Sequence, residues 1–463
     1  MKKLLATILA LVMALGVTTA AWADENVAQT TKDGTTTPYT SLTDALNAAK
    51  GGGTVELLKN VTLTSNWTTV GTETEPFKGT FDGKGYTITG LTIPTSDNEY
   101  MGFIGMLDGG TVKNVKFASV SVNGKDDVGT AVGRIINGGI VSGVQVLGGT
   151  VSGAKRVGGV VGSIKASGTV SDCTNAAVVT ANDRNAGGIV GSAYYTETGK
   201  QMYITNCVNN GAVTASGVCG GIVSLSAANV SGNTNTAAVK GTEVGGIVGE
   251  QKSYGSVTNN TNSGAVTYTN GANTYGAGGI IGWLRYHGTS EASAYEVSDI
   301  ISVTGNKNSG SVTGGNDAGG IVGTVYNSAV IMNNKNTATS FSATTFAAGI
   351  VGNYQTVETP AAEAPAKNKL TFGDDNTSTA TLEQITAQCK DLLIYTNGNA
   401  IEIVEVPDPT PEQPPRYYYN STTTTTKDEA KGSPKTFDAG IGIYAVTAVL
   451  SVTGMAWTAK KRH

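Results

Sequence analysis

The stretch Ala-Gly-Gly-Ile-Val-Gly stands at Ala186–Gly191 and returns unchanged at Ala318–Gly323. Near copies occupy Val157–Gly162, Val244–Gly249, Ala277–Gly282 and Ala347–Gly352, with weaker ones at Tyr100–Gly105, Val128–Gly133 and Cys219–Ser224. The nine words begin at intervals of 28, 29, 29, 33, 25, 33, 41 and 29 residues. Self-similarity at a period of 20–50 residues marks a stack of repeats, each unable to bury its apolar face alone. A repeat near 29 residues fits one coil of several short strands, and coils about 4.8 Å apart make nine of them a rod of roughly 45 Å. The paired glycines are expected to turn the chain tightly into a short strand. The Ile/Val pairs behind them would stack into one aliphatic column.

A second word lies between the first. It runs Val112–Phe117, Val141–Val146, Val170–Asn175, Ile204–Asn209, Val230–Asn235, Val257–Asn262, Val303–Asn308 and Ile331–Asn336. Its fourth column reads Val115, Val144, Cys173, Cys207, Asn233, Asn260, Asn306, Asn334; its sixth reads Phe117, Val146, Asn175, Asn209, Asn235, Asn262, Asn308, Asn336. Positions two apart share a strand face, and valine and phenylalanine at the early rungs make that face inward. The asparagines then read as buried ladders, each amide bonded to its equivalents above and below. A solvated asparagine-rich loop is the alternative.

These words resemble the GLUG-type repeat of bacterial surface proteins over about residues 100–352, and the resemblance implies a right-handed parallel β-helix. Such repeats accompany adhesins and also the immunoglobulin-A-cleaving metallopeptidases. Those peptidases need a zinc-binding HExxH, which this chain lacks.

Solenoid ends must be capped. Ser41–Lys50 reads as a short helix, Ser41 and Asp44 placed like a capping box, with Leu42, Ala45, Leu46 and Ala49 on one face. Thr381–Leu393 reads as a second capping helix carrying Cys389, followed by a closing strand, Ala400–Val406. Cys173 and Cys207 fall in the inward column as small apolar fillers, and Cys219 takes the first position of its word. There is no CxxC, and the only histidines are His287 and His463, so neither a metal site nor a cofactor is expected.

The 463 residues carry a net charge of −4 with only 14% charged side chains, which excludes a nucleic-acid electrostatic footprint. Residues 1–23 read as a secretory signal: Lys2 and Lys3, an apolar run Leu4–Val17, and Ala21-Trp22-Ala23 as the cleavage site, cut after Ala23. Ala439–Ala459 has no charge and could span roughly 30 Å as a helix, with Lys460, Lys461 and Arg462 behind it. Ser433–Asp438 precedes it. This order resembles the sortase sorting signals of Gram-positive cell-wall proteins, matching at Pro434 and Thr436 and departing at Ser433 and Phe437. The resemblance implies cleavage after Thr436 and linkage to peptidoglycan. Residues 407–432, with five prolines between Pro407 and Pro415, read as a polar stalk.

The organisation expected is therefore a signal (1–23), an N-terminal cap (24–54), a parallel β-helix (55–355), a C-terminal cap (369–406), a stalk and a sorting signal (433–463) holding a transmembrane helix.

Two sets of residues are candidates for chemistry. The residue before each glycine word includes Glu99, Asp127 (beside Asp126) and Arg156 on neighbouring rungs, the acid–base cluster that a β-helix polysaccharide lyase or hydrolase would need. Directly after the word, two long excursions and three short ones carry Tyr194, Tyr195, Tyr254, Trp283, Tyr286, Tyr326 and Tyr354. Loops on one edge of a solenoid are its usual binding face. Tyr194, Tyr195, Tyr254, Trp283, Tyr286 and Tyr326 could line an aromatic strip for sugar rings, with Arg285 and His287 adding selectivity. The reading is a cell-wall-anchored surface protein that binds glycan or a host protein, with signal peptidase, a sortase and peptidoglycan as processing partners and no catalytic residues of its own.

Overall fold

In the computed structural model the described residues are 25–196, 200–252, 255–269, 276–285, 301–326, 329–355, 370–373 and 375–380, with five short strands between 385 and 419. One coil shows the plan. Thr111–Lys113, Lys116–Ala118, Val120–Asn123, Asp126–Gly129 and Val132–Ile136 are five strands separated by corners of two or fewer residues to the third strand and two thereafter. The next coil lies on it in parallel register, with Val112 against Val141, Phe117 against Val146, Val122 against Val151, Val128 against Val157 and Val132 against Val161. Repeating this gives a parallel β-solenoid of about nine turns. Its five sheets, taken in the order the chain visits them, hold 15, 11, 9, 8 and 12 described strands.

Strands of two to seven residues suffice because each is paired above and below, and the in-register valines and isoleucines bury one continuous core. Val112, Val141, Val170, Ile204, Val230, Val257, Val303 and Ile331 are all fully buried in one such column.

The corner between the first and second sheets has a residue code. Its positions are Asn114, Gly143, Asp172, Asn206, Gly232, Asn259, Gly305 and Asn333, all with φ between 53° and 71°. Only Gly, Asn and Asp enter the left-handed region cheaply, and only they occur here.

Both asparagine ladders are present. Asn175, Asn209, Asn235, Asn262 and Asn336 are 0% exposed and Asn308 1%, which excludes a solvated loop. Each Nδ2 donates to the Oδ1 of the next rung at 2.9–3.0 Å, from Asn175 to Asn336. Each amide also clasps the backbone two residues ahead: Asn262 Nδ2 donates to the Gly264 carbonyl and its Oδ1 accepts the Gly264 N–H. Two donors and two acceptors are thus all used. In the corner column Asn233, Asn260, Asn306, Asn334 and Asn376 chain together at 3.0 Å, so the ladder runs one rung further than the second word does.

The glycine word does not work as expected. Its first two residues lie on the fourth sheet and its last two on the fifth, with the corner between them, as in Ala186–Gly187 and Val190–Thr196. Among the described residues no word glycine has a positive φ. Glycine is required by close approach instead. A Cβ on Gly246 would lie 2.1 Å from the Gly279 carbonyl and 2.4 Å from the Asn262 amide carbon. Gly159, Gly188, Gly221, Gly279 and Gly320 press on Asn175, Asn209, Asn235, Asn308 and Asn336 in the same way. Where the ladder column still holds Val146, the word's third residue is Thr130. From Gly159 and Asn175 onward the two keep together as far as Gly320 and Asn336, because each shapes the space of the other.

The N-terminal cap is the helix Leu42–Ala49 (α1), with Ser41 Oγ accepting the Asp44 N–H at 3.2 Å and Leu42, Ala45, Leu46 and Ala49 buried. Ala28–Lys32 and Thr35–Tyr39 add an antiparallel hairpin to the first sheet, and its outer strand is short, exposed and interrupted by Pro38. At the other end the expected helix over 381–393 is contradicted at the residues of it that are described. Ile385–Ala387 is a strand, Ile385 pairing in parallel with Val351 of the coil beneath, because the open edge of the fifth sheet offers backbone partners to a β-branched segment. Arg416–Tyr419, assigned to the stalk, is likewise a strand, antiparallel to Ile385–Ala387 and Val404–Val406. Among the described residues no helix is long and apolar enough to cross a membrane. The signal segment, Pro434, Thr436, Ala439–Ala459 and Cys389 lie outside the described residues.

Candidate binding groove

The fourth and fifth sheets meet at a re-entrant outer corner. The residue that ends each word, glycine in all but Ser224, forms its floor: a Cβ on Gly191 would lie 2.4 Å from the Gly162 carbonyl and 2.5 Å from the Arg156 carbonyl carbon, both of the coil before. Two columns of side chains line the crease, the residue directly before each word and the residue directly after it. They are seven residues apart in sequence and face each other, as Asp127 with Arg134 and Asp317 with Thr324 show.

At the N-terminal end, Asp127 is 0% exposed and is held by Arg134 and by Arg156, whose Nε and Nη2 donate to it at 2.7 and 2.9 Å. Arg156 also reaches Asp126 at 3.4 Å. Both Asp127 and Arg156 take left-handed backbone, at φ 56° and 53°. Asp127 is thus sealed in an ion network rather than open to substrate. Glu99 is exposed and lines a separate cleft.

The middle of the crease holds a second set. Glu243 and Glu250 are 8% and 3% exposed. Arg285 Nη2 lies 2.9 Å and Lys252 Nζ 3.5 Å from Glu250 Oε1, while Glu243 Oε2 is buried with no hydrogen-bond partner. Burial, followed by the repulsion of Glu250, pushes the Glu243 carboxyl up to about 7. Burial also raises Glu250, opposed by Lys252 and Arg285. Further along, burial raises Asp317 to about 6 although its Oδ2 accepts from Thr324 Oγ1 at 2.7 Å and Asn353 Nδ2 at 3.0 Å.

Of the aromatic residues expected on an edge, Tyr194, Trp283 and Tyr326 stand beside this set, on strands of the fifth sheet rather than on loops. Successive coils pair Lys252 with Arg285 and Arg285 with Tyr326. Lys252 Nζ sits 4.5 Å over the Tyr194 ring, and Arg285 Cζ sits 4.1 Å over the Trp283 ring. Trp283 meets Tyr326 edge to face at 6.4 Å. Tyr194, Arg285 and Tyr326 are part-exposed, but Trp283 is 6% exposed and belongs to the packing. Tyr354 points to the core and is fully buried. Tyr195 pairs through its backbone with Lys165, and its side chain lies outside the described residues, as do Tyr254, Tyr286 and His287.

The sequence reading missed Glu250 and Lys252. Glu250 carried a signal, its offset of seven from Glu243, the residue before the word; Lys252 lies two residues further on, and neither position becomes meaningful until the crease is known. Cys173, Cys207 and Cys219 are buried free thiols, and among the described residues no group of His, Cys, Asp or Glu is placed to hold a metal ion.

No protein-family model matches the chain. Over 63 residues it is 46% identical to halomucin of Haloquadratum walsbyi, a match taking in 13% of this chain and 1% of that protein. A solved structure from Bacteroides ovatus, provisionally described as an immunoglobulin A1 protease, is 18% identical, with 66% of this chain and 79% of that one covered at a TM-score of 0.32. Likeness of that order assigns neither a family nor an activity, and the solenoid rests on its own strand register.

Proposed function

We propose that the chain is an exported, wall-anchored surface protein whose solenoid binds glycan along the outer edge of the fifth sheet. The right-handed coil and the GLUG kinship belong to the same reading, as do the signal segment cut after Ala23 and the sorting signal at Pro434 and Thr436. One observation carries the binding part. Tyr194, Lys252, Arg285 and Tyr326 follow one another across four of five successive coils, on strands whose spacing is about 4.8 Å. Such a line offers ring faces and cationic donors at a repeat that several units of one polymer can meet, on a backbone that loses little entropy on binding.

The test is a glycan array with the purified protein, followed by the Tyr194→Ala/Tyr326→Ala double variant. Attachment should weaken at least tenfold, about 1.4 kcal/mol, with an unchanged melting temperature. An unchanged array profile would sink the edge assignment. The anchor has its own check: mass spectrometry of wall digests should find Thr436 as the joined C-terminus, and an intact tail through His463 would leave only a membrane helix.

A second reading, a β-helix polysaccharide hydrolase or lyase, is favoured by Glu243 and Glu250 standing together beside Lys252 and Arg285, since glycosidic cleavage uses a pair of carboxyl groups, one of them protonated as Glu243 is up to about pH 7. Reducing-end release from polysaccharide, lost in Glu250→Gln, would establish it.

A further inference from the structure

The first coils lack the fourth sheet, and loops stand in its place. Residues 64–79 follow the strand Val61–Thr62, and residues 94–103 follow Thr92–Ile93. They join their neighbours by single bridges at Val70–Ile104, Phe77–Leu107 and Met101–Val128. Between the loops opens a cleft of about 570 Å³, whose lining includes Trp67, Thr69, Glu73, Asn98, Glu99 and Tyr100. That volume lies within the range of small-ligand sites.

Its floor is built rigidly. Trp67 is 7% exposed, donates Nε1 to the Phe103 carbonyl at 3.0 Å and stacks on the Phe103 ring at 4.9 Å. Thr69 Oγ1 donates to the Gly102 carbonyl at 2.9 Å. Tyr100 has φ 59°, a costly backbone for a bulky residue, and it is held there by Arg134, which lies 4.4 Å from the ring and donates to its hydroxyl at 3.3 Å. The Gly71 turn, at φ 84°, leaves no room for a side chain against the Met106 carbonyl.

The charge is one-sided. No lysine or arginine lines the cleft, and Arg134 behind it is committed to Asp127. Glu73 and Glu99 are exposed at the rim. Burial raises the Tyr100 phenol, Arg134 opposes this, and Glu73 and Glu99 add to the rise, which places both carboxylates within electrostatic reach of the ring.

We infer that this cleft receives the end of a saccharide bearing free amino groups. Sugar C–H faces would lie on the aromatic floor, hydroxyls would meet Thr69 and Asn98, and the ammonium would be answered by Glu73 and Glu99. A uronic-acid chain would meet two carboxylates and no cation. The inference rests on the glycan-binding reading but assigns a second site, at the end of the rod rather than along its edge.

Titration calorimetry on the full chain tests it with four probes: a β-1,4-glucosamine tetramer, its N-acetylated form, a galacturonic acid tetramer and tetralysine. The glucosamine tetramer should bind at least tenfold more tightly than the N-acetylated form, the galacturonate should not bind, and Glu73→Gln/Glu99→Gln should remove at least tenfold of the affinity without lowering the melting temperature. Tyr194→Ala/Tyr326→Ala should leave this binding intact, so loss there alone would overturn the cleft while sparing the edge assignment. Equal binding of galacturonate, unchanged affinity in the glutamate variant, or tetralysine binding as tightly as the sugar would each overturn the inference.

Discussion

At the scale of the residue, the asparagine ladders are the most exacting element of the fold. A buried amide is costly unless every donor and acceptor is met, and here the equivalent residue one coil away meets them. Replacing Asn260 with alanine should cost about 1–3 kcal/mol in urea denaturation, because Asn233 and Asn306 keep their unpaired groups. Gly246→Ala should cost at least as much, since its Cβ would fall on both the Gly279 carbonyl and Asn262. Unchanged midpoints for both variants would mean that the ladder does not hold the coils together. The columns were legible in the sequence because register is a property of spacing. The reason for the paired glycines was not, since it depends on what lies across the coil. The left-handed corner code of Asn, Gly and Asp stands in the same spacing, one residue before the fourth column, and its meaning lies in the backbone angle that the corner imposes.

At the scale of the element, the helix cap and the crease invite different measurements. Ser41→Ala should lose about 1 kcal/mol, the ordinary worth of an N-cap side chain. Trp283→Ala should lower the melting temperature, because a buried ring between Arg285 and Tyr326 is packing before it is a binding surface. The crease also makes stability depend on pH. Glu243 has its carboxyl raised from an ordinary value near 4.5 to about 7, so between those values the folded chain keeps a proton that the unfolded chain has released. Stability should therefore fall as pH rises through that window, by up to about 3 kcal/mol, and stay low above it. Asp317, raised by burial to about 6, adds a loss of the same sign at its lower-pH side. The groups facing Glu243 are Glu250, Arg285, Lys252 and Arg184. Thermal melts at pH 5 and pH 8 should converge in Glu243→Gln relative to the parent, and that variant should be the more stable at pH 8. Parallel curves for the two proteins would show that Glu243 does not hold its proton.

At the scale of the whole molecule, each coil touches chiefly the coil before and after it, so stability is close to a sum of rungs and their interfaces. Such a rod needs closed ends. The N-terminal helix and hairpin close one, and antiparallel strands rather than a second helix meet the other. The same geometry separates two kinds of surface. Along the rod, identical positions repeat and favour a repeating polymer. At its start, where the fourth sheet has not yet begun, loops leave a cleft that does not repeat along the described coils and favours a chain end.

The sequence by itself determined the coil length, the inward columns, the buried asparagines and the N-terminal cap, because each follows from spacing and from the cost of burying a polar group. The tertiary structure alone decided that the glycines serve close approach, that Asp127 is locked between two arginines, and that Glu250 and Lys252 join Trp283 and Arg285 in one crease. Those outcomes depend on which corners of the coil bend outward, and a corner's sense is set by the packing of the whole cross-section rather than by any one repeat.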